Sequence, residues 1–209
     1  EVGKDTFREY MYNFGIADVS GIDLPNDTKG LVANLKSSRD IEYATASFGQ
    51  GIALTPATMA SALSVLANGG TRITPHVIKE IDYSFGFSHE ITHEPGMRVL
   101  KEETSDEISR MLVEVVDEAL LNGEVKKDDY SIAAKTGTAQ IANPDGSGYH
   151  EDKFLHSFFG YFPAYDPEFL VFLYVVDPQE VRYASQTLTY PFMNITDFLI
   201  HYYDIPPDR

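Results

Sequence analysis

The sequence contains no cysteine, so disulfide bonds and thiolate chemistry are excluded. It has no run of about 18 apolar residues, and we therefore predict no helix that crosses a bilayer. Basic side chains are scarce: 16 Lys and Arg residues stand against 32 Asp and Glu residues, and the formal net charge is -16. Because a surface of that charge repels phosphate groups, we expect no nucleic-acid partner.

An initiator Met and a recognisable signal peptide are absent as well. The chain begins with Glu-Val-Gly-Lys, which indicates an excised or processed piece of a longer protein. No internal repeat, low-complexity run or long linker divides the 209 residues. Hydrophobic residues make up 43% of the chain, enough for the core of one large domain or of two subdomains.

Four segments have the apolar periodicity of amphipathic helices. In the first, apolar side chains recur over residues 7–14, and Asp5 is the expected N-cap. The second covers residues 55–67, where Thr55 can cap the helix and Pro56 suits its first position. Glycines follow both segments, as expected at the ends of helices.

The third helix is predicted to begin with a capping box formed by Thr104 and Glu107 and to run to Leu120. Its apolar positions follow the helical period: Ile108, Met111, Leu112, Val115, Val116, Ala119 and Leu120. The fourth helix is predicted to begin near Pro191. One face of that helix carries Phe192, Ile195, Leu199 and Tyr202.

The predicted strands lie late in the chain. Residues 130–140 are small or polar in alternation, and residues 154–162 are rich in aromatic side chains. Residues 169–176 are continuously apolar, which is typical of a strand covered on both faces. The sequence Pro-Ala-Tyr-Asp-Pro at residues 163–167 predicts a turn between the last two strands.

This distribution of elements predicts an α+β fold. We expect an antiparallel sheet flanked by helices, together with a helical subdomain. The mainly helical part covers about residues 1–125, and the sheet part covers about residues 126–209 and includes the last helix.

The segment Lys135-Thr136-Gly137-Thr138 on the first strand is the main candidate for chemistry. Lys135 supplies a positive charge that can bind a carboxylate. Thr136 and Thr138 supply hydroxyl groups, and Gly137 allows an extended peptide to approach the main chain closely. A lysine on an edge strand also protects that edge from other chains, so the K-T-G tripeptide alone leaves both interpretations open.

Six ordered segments make the interpretation more specific. The longest signature is SFGQGIALTPATMASALSVLANGG at residues 47–70, and AAKTGTAQ lies at residues 133–140. The others are FREYMYNFGI followed by SGIDLPND, TRITPHVIKEI, HSFFGYFPAYDPEFLVFLYVVDPQ and IHYYDIPPDR. In this order they resemble the C-terminal part of the transpeptidase domain of class B penicillin-binding proteins, whose superfamily carries S-x-x-K, S-D-N and K-T-G motifs. The resemblance covers nearly the whole chain.

The resemblance implies a peptidoglycan D,D-transpeptidase that works by acyl transfer through a serine ester. Its substrates would be stem peptides ending in D-Ala-D-Ala, and β-lactams would mimic them. Lys135 and the Thr138 hydroxyl would bind the terminal carboxylate, with Thr136 and Gly137 in the same substrate-binding segment. The backbone N–H of Thr138 would be one of two oxyanion-hole donors. No cofactor and no metal ion is expected.

Two of the three superfamily motifs are missing, because the sequence contains neither S-x-x-K nor S-x-N. We therefore expect the nucleophilic serine and its lysine base to lie upstream of Glu1, and this chain alone to be inactive. Ala134 replaces the glycine that the family usually has before the lysine. The segment ALLNGEVKKDDYSIA replaces a shorter stretch rich in Gly and Thr. These departures leave the substrate preference open.

Two other functions are compatible with the same fold. The chain could belong to a non-catalytic domain that senses β-lactams or serves as a scaffold, or to a serine β-lactamase. Under the resemblance its partners would be the rest of its own transpeptidase domain and other cell-wall synthesis or division proteins. The expected location is the extracytoplasmic face of the bacterial inner membrane, with an anchor that this sequence does not include.

A group of histidines suggests a metal site only weakly. His89 and His93 are four residues apart and lie beside Glu90 and Glu94. A Pro-Gly pair follows and helical periodicity is lacking, so we expect a solvent-exposed loop.

Two further histidines, His150 and His156, flank a polar loop that contains Ser147. This loop joins the K-T-G strand to the next strand, and it would lie near the rim of a cleft. We expect it to be a surface loop.

Overall fold

The computed structural model describes residues 2–146 and 148–209. Groups of helices and groups of antiparallel strands follow one another along this part of the chain, which confirms the α+β class. The chain divides into two units, one ending at Glu102 and one beginning at Glu103. The sequence predicts a division at about residue 125, between a mainly helical part and a sheet part. The two units divide earlier, since the helix that follows residue 102 groups with the sheet rather than with the preceding helices.

The described residues of the first unit form three α-helices, a 3-10 turn and four short strands. They are α1 (Lys4–Asn13), the 3-10 turn (Ala33–Lys36), α2 (Asp40–Ala46), α3 (Pro56–Ala67), β1 (Thr71–Arg72), β2 (Glu80–Asp82), β3 (Ser88–Glu90) and β4 (Met97–Arg98). Strand β1 pairs with β4, and β2 pairs with β3, both in antiparallel register. The sequence reasoning predicted α1 and α3 but not α2 or the strand pairs.

The two predicted helices differ in how well their starts were placed. Helix α3 begins as expected, with Pro56 at its first position and the Thr55 hydroxyl accepting a hydrogen bond from Thr58 N at 3.1 Å. The N-cap assignment for α1 is wrong, since Gly3 occupies that position and Asp5 lies inside the first turn. An acidic residue there is still favourable because it faces the positive end of the helix dipole.

In the second unit, the part of the chain that the structure describes forms two long helices around a three-stranded sheet. Its elements are α4 (Glu102–Glu114), a π-helical turn (Val115–Ala119), a 3-10 turn (Leu120–Gly123), β5 (Ala133–Ala142), β6 (Tyr149–Phe162), β7 (Phe169–Val176) and α5 (Ala184–Tyr202). The order of the sheet is β5-β6-β7, and both pairings are antiparallel. The bounds of β7 agree with the prediction, and β6 begins five residues earlier than residue 154.

The predicted capping box of α4 is wrong, because the helix begins at Glu102 and Thr104 lies within it. Acidic side chains favour the first turn, so the helix extends upstream of the threonine. The α-helical geometry ends at Glu114, and the following residues form π-helical and 3-10 turns instead of a continuous helix to Leu120. Met111, placed on the apolar face by its spacing, is half exposed.

Helix α5 begins at Ala184, seven residues before the start near Pro191 that the sequence indicated. Proline lacks an N–H and is usually confined to the first turn, so the pattern favoured a start at Pro191. The helix nevertheless continues through Pro191, and its first turns bury Ala184, Leu188 and Thr189.

The core of the second unit is one cluster of buried side chains from the sheet, from α5 and from the segment after α4. Phe192 is fully buried in it and stacks on Phe158 with the ring centroids 4.6 Å apart. Gly160 leaves the space for this ring, since a Cβ at residue 160 would lie 2.5 Å from Phe192 Cζ. Burial of one such phenylalanine contributes about 1.5–3 kcal/mol to stability.

Strand β7 is covered less completely than its apolar sequence suggested. Phe169, Val171, Leu173 and Val175 pack against the core cluster. Tyr174 and Val176 are half exposed, so the expectation of cover on both faces is wrong for this strand in the described part of the chain.

Candidate functional site

The K-T-G segment lies in the middle of β5. Lys135 and Thr138 are exposed, and Thr136 and Gly137 are partly buried. Among the described residues β5 pairs only with β6, so its other edge has no neighbouring strand. An extended ligand can therefore approach the main chain of β5 along this edge.

The hydroxyl-bearing residues of the segment lie on the sheet face that α5 covers. Thr136 is directly opposite Phe158 in the register, and Thr138 is directly opposite His156. Directly paired residues in an antiparallel sheet have their side chains on the same face. Phe158 stacks on Phe192 of α5, which identifies this face.

The lysine and the glycine of the segment lie on the opposite face, because side chains alternate along a strand. Lys135 pairs with Phe159 in the register, and Gly137 pairs with Ser157. A Cβ at residue 137 would lie 2.5 Å from Ser157 Oγ, so a side chain there would displace that hydroxyl. The structure thus brings the four predicted residues together on one strand but on two faces.

Lys135 carries a charge that no carboxylate of the described chain neutralises within ion-pair distance. Its Nζ donates one hydrogen bond to the carbonyl oxygen of Thr136 at 2.9 Å. An ammonium group has three hydrogens, so two remain for other acceptors. A free cation in a chain of net charge -16 is suited to an anionic ligand.

Thr138 has a partner outside the sheet. The backbone N–H of Ala184, the first residue of α5, donates to Thr138 Oγ1 at 3.0 Å. The hydroxyl hydrogen of Thr138 remains available for a ligand, since that bond uses only a lone pair of the oxygen. Thr138 is exposed to solvent and is also hydrogen-bonded to α5.

His156 is a residue beside this segment to which the sequence assigned no role in the site. It lies within β6, as the predicted strand over residues 154–162 implies, and it is fully buried. Its ring nitrogens contact Thr187 Oγ1 and the carbonyl oxygen of Arg182, both near the start of α5. The sequence does carry a signal for its burial. His156 lies an even number of positions before Phe158 and Phe162, so the alternation of a strand places all three side chains on the same face.

The loop after β5 is a short hairpin. Asn143 N donates to the carbonyl oxygen of Gly148 at 2.9 Å, and β6 begins at Tyr149. His150 therefore belongs to the strand, where its carbonyl oxygen accepts a hydrogen bond from Gln140 Nε2 at 3.0 Å. Ser147, part of the predicted surface loop, lies outside the described residues.

The histidine and glutamate group in the first unit does not converge on one point. His89 and Glu90 lie on the exposed strand β3, and His93 stacks on the ring of His76 with the centroids 3.4 Å apart. Within residues 2–146 and 148–209, no group of three or more His, Cys, Asp or Glu residues has the geometry to hold a metal ion.

A buried phenol supports the sheet from the face that carries Lys135. Tyr161 OH and Ser109 Oγ of α4 are 2.7 Å apart in a buried hydrogen bond. Burial raises the pKa of Tyr161, although the hydrogen bond with Ser109 partly opposes this.

In the part of the chain that the structure describes, no helix has the length and apolar character needed to traverse a bilayer.

Comparison with known proteins gives a consistent result. Residues 1–196 match the sequence model of the penicillin-binding protein transpeptidase domain. Stage V sporulation protein D of Bacillus subtilis is 33% identical over 194 residues, which are 92% of this chain and 30% of that protein. The probable peptidoglycan D,D-transpeptidase PenA of Neisseria gonorrhoeae is 26% identical over 90% of this chain and 30% of its own length. The chain thus spans less than a third of these curated relatives.

The fold agrees with solved structures as well. Penicillin-binding protein 3 of Mycobacterium tuberculosis, in complex with ampicillin, superposes with a TM-score of 0.89 and 26% identity. The alignment covers 99% of this chain and 48% of that one. Because the family model also matches 196 of the 209 residues, the chain belongs to the penicillin-binding protein transpeptidase family.

Proposed function

We propose that this chain provides the substrate-anchoring strand of a peptidoglycan D,D-transpeptidase. The observation that carries the proposal is the exposed and unpaired Lys135 on an open strand edge, with the Thr138 hydroxyl free to donate a hydrogen bond. The two side chains leave β5 on opposite faces, but both residues lie on its open edge, where a cation and a hydroxyl donor suit the free carboxylate of a short peptide. The expected ligands are stem peptides that end in D-Ala-D-Ala, and β-lactams.

The reaction begins with a serine that this sequence does not include, since it contains no S-x-x-K. The serine oxygen attacks the carbonyl carbon of the penultimate D-Ala, and the bond to the terminal D-Ala nitrogen breaks. The serine proton leaves with the released amine. An amine of a second stem peptide then attacks the ester, forms the cross-link and restores the serine hydroxyl.

The residues of β5 act on the donor peptide in this scheme. The Lys135 ammonium lowers the electrostatic cost of placing the terminal carboxylate beside the strand. Thr138 donates its hydroxyl hydrogen to the same carboxylate, and its backbone N–H is an oxyanion-hole donor, a role whose loss costs about 10²–10³ in rate. Thr136 and Gly137 shape the strand edge along which the peptide lies.

The nucleophilic serine and its base would come from the rest of the same transpeptidase domain, which is therefore the first partner of this chain. We place the protein on the extracytoplasmic face of the bacterial inner membrane, where peptidoglycan is assembled. Other cell-wall synthesis or division proteins are further partners under this proposal. The support for these assignments is family membership and the names of the relatives.

The test uses the complete protein that contains this chain. It is incubated with a fluorescent penicillin and, separately, with a pentapeptide ending in D-Ala-D-Ala and an acceptor amine. We expect a covalent label that survives denaturation and that unlabelled benzylpenicillin prevents, together with release of D-Ala and formation of the amide product. A complete protein that is never labelled contradicts the proposal.

The same experiment distinguishes the two alternative functions. A long-lived penicillin adduct without any amide product would identify a sensor or scaffold of the same fold. Rapid turnover of penicillin, with the label lost within seconds to minutes, would identify a serine β-lactamase. Both outcomes would overturn the transpeptidase assignment while leaving the role of β5 in binding carboxylates intact.

A further inference from the structure

A buried histidine contacts the start of α5 from the sheet. His156 lies on β6 and is fully buried. Its Nε2 is 3.0 Å from the carbonyl oxygen of Arg182, and its Nδ1 is 2.9 Å from Thr187 Oγ1. The two contacts bracket the residues at which the chain enters α5.

The partners determine which ring nitrogen carries hydrogen. A backbone carbonyl can only accept, so Nε2 must donate to Arg182 O. In the neutral ring Nδ1 is then an acceptor, and the Thr187 hydroxyl can donate to it. Thr187 Oγ1 is also 3.2 Å from the carbonyl oxygen of Ala184, so its single hydrogen is donated either to this carbonyl or to Nδ1 of the neutral ring. Both polar ends of the buried ring are satisfied.

Ala184, which lies between Arg182 and Thr187, provides the link to the K-T-G strand. The N-cap residue Tyr183 offers no side-chain hydrogen bond to the helix. The first helical N–H, that of the fully buried Ala184, is satisfied instead by Thr138 Oγ1 at 3.0 Å. One of the orphan amides at the helix start is therefore capped by a side chain 46 residues away in sequence.

The bond from the Ala184 N–H determines whether the Thr138 hydroxyl donates a hydrogen bond to a ligand or accepts one. A hydroxyl group has one hydrogen and two lone pairs, and the Ala184 N–H occupies one lone pair. The rotation of the hydroxyl is thereby restricted, and its hydrogen points away from Ala184. Because a carboxylate can only accept hydrogen bonds, a hydroxyl held as a donor suits that ligand.

We propose that His156 is a positioning residue for carboxylate binding by the K-T-G strand. It holds the Arg182–Thr187 segment in place, so that the Ala184 N–H reaches Thr138 Oγ1 and presents the Thr138 hydroxyl as a donor. Thr138 and His156 are directly opposite in the register, so the linkage is short. The inference rests on the proposed function, because it assigns a role in binding the ligand of that same site.

A double-mutant cycle in the complete protein tests this linkage. The second-order rate constant of acylation by benzylpenicillin is measured for wild type, His156→Phe, Thr138→Val and the double variant. Phenylalanine supplies another aromatic ring but cannot form either hydrogen bond of the histidine. We expect His156→Phe to slow acylation by about 5- to 10-fold, as for loss of one oriented hydrogen bond. In the Thr138→Val background the same change should have no further effect.

A second measurement is independent of acylation. Hydrogen exchange of the Ala184 amide should be faster in His156→Phe than in wild type, while the amides at the centre of β6 keep their protection. If His156→Phe does not fold, Thr187→Val replaces it, because that change removes the partner of Nδ1 and keeps the imidazole; it also removes the contact of the hydroxyl with the carbonyl oxygen of Ala184. His201→Phe, at an exposed histidine on the same helix, is the matched control and should change neither readout.

Two results would overturn the inference. One is that the effects of His156→Phe and Thr138→Val on acylation multiply, as for two independent sites. The other is an unchanged Ala184 exchange rate in a folded His156 variant. Failure of the proposed function has a different signature, since wild type itself would then remain unlabelled by penicillin or would form no amide product, while the exchange measurement still reports on the link.

Discussion

The two units of the chain hold their structure by different means. The second unit joins its sheet, α5 and the segment after α4 through one cluster of buried apolar side chains. In the first unit the buried hydrophobic residues are few: Leu35, Tyr43, Ala46, Ala62 and Val65. Its β2–β3 hairpin instead exposes large apolar side chains, with Phe85 88% and Phe87 75% accessible.

Polar contacts and backbone geometry contribute a larger share of the stability in the first unit than in the second. The Asp23 carboxylate accepts hydrogen bonds from Val77 N at 2.8 Å and Ile78 N at 2.9 Å, just before the hairpin. Gly70 adopts a positive φ of 84°, and a Cβ there would lie 2.4 Å from the carbonyl oxygen of Leu100. The difference teaches that substitutions of apolar residues should be costly in the second unit, whereas single polar groups matter more in the first.

The largest effect is expected from Phe192→Ala in the buried cluster. Truncating a fully buried phenylalanine removes its burial and leaves a cavity, so we predict a loss of about 3–5 kcal/mol in the free energy of unfolding. Denaturation by urea, followed by circular dichroism, measures this loss.

Two matched controls sharpen the comparison between the units. Phe198→Ala on the same helix and Phe85→Ala on the hairpin replace exposed rings, so each should change stability by less than about 0.5 kcal/mol. Equal losses for Phe192 and Phe85 would show that the two units do not differ in the way described.

A smaller effect is expected from Tyr161→Phe, which removes the hydrogen bond with Ser109. At neutral pH we predict a loss of about 1 kcal/mol in stability. Burial raises the pKa of Tyr161 in the folded protein, so its neutral phenol stabilises the fold fully below about pH 10. That contribution is lost as the pH rises through the raised pKa.

The alkaline part of this prediction is checked by urea unfolding at pH 7 and at pH 11. Tyr161→Phe should lose less stability between the two pH values than wild type, because the variant has no phenol to ionise at this position. The same alkaline loss in both proteins would mean that Tyr161 is not the group responsible.

The smallest effect is local and concerns Asp23→Asn in the first unit. Desolvation opposes the shift, but the amides of Val77 and Ile78 outweigh it and hold the pKa of Asp23 below its ordinary value. The carboxylate therefore stabilises the hairpin above about pH 4, and the effect is lost as the pH falls through the lowered pKa.

Hydrogen exchange checks this prediction. The amides of Val77 and Ile78 should exchange several-fold faster in Asp23→Asn, and the change should shrink on acidification. Asp82→Asn, at an exposed position on β2, is the control and should leave both amides unchanged. Unaltered exchange in Asp23→Asn would contradict the role of this carboxylate.

Local signals in the sequence predicted part of the fold well. The Thr55-Pro56 pair locates the start of α3, and the apolar run of residues 169–176 gives the bounds of β7. These succeed because each depends on a few neighbouring residues. The strand pairs of the first unit carry no such signal, since their residues are mostly exposed and lack alternation.

Long-range contacts explain what the sequence could not predict. Helix α5 begins at Ala184, whose amide is capped by Thr138, and no local pattern can indicate such a contact. The four residues of the K-T-G segment follow from the family resemblance, and the alternation of a strand predicts their division between two faces. The position of His156 beside Thr138 requires the register of β5 and β6.

The central claim is that the Lys135 ammonium binds the carboxylate of a donor peptide or β-lactam. The most direct test is the second-order rate constant of acylation by benzylpenicillin in the complete protein, compared between wild type, Lys135→Ala and Lys153→Ala. Lys153 is an exposed lysine on β6 and serves as the control. We predict that Lys135→Ala lowers the rate constant by about 10- to 100-fold, as for loss of a charged hydrogen bond, and that Lys153→Ala does not. An unchanged rate constant in a folded Lys135→Ala protein would contradict the account.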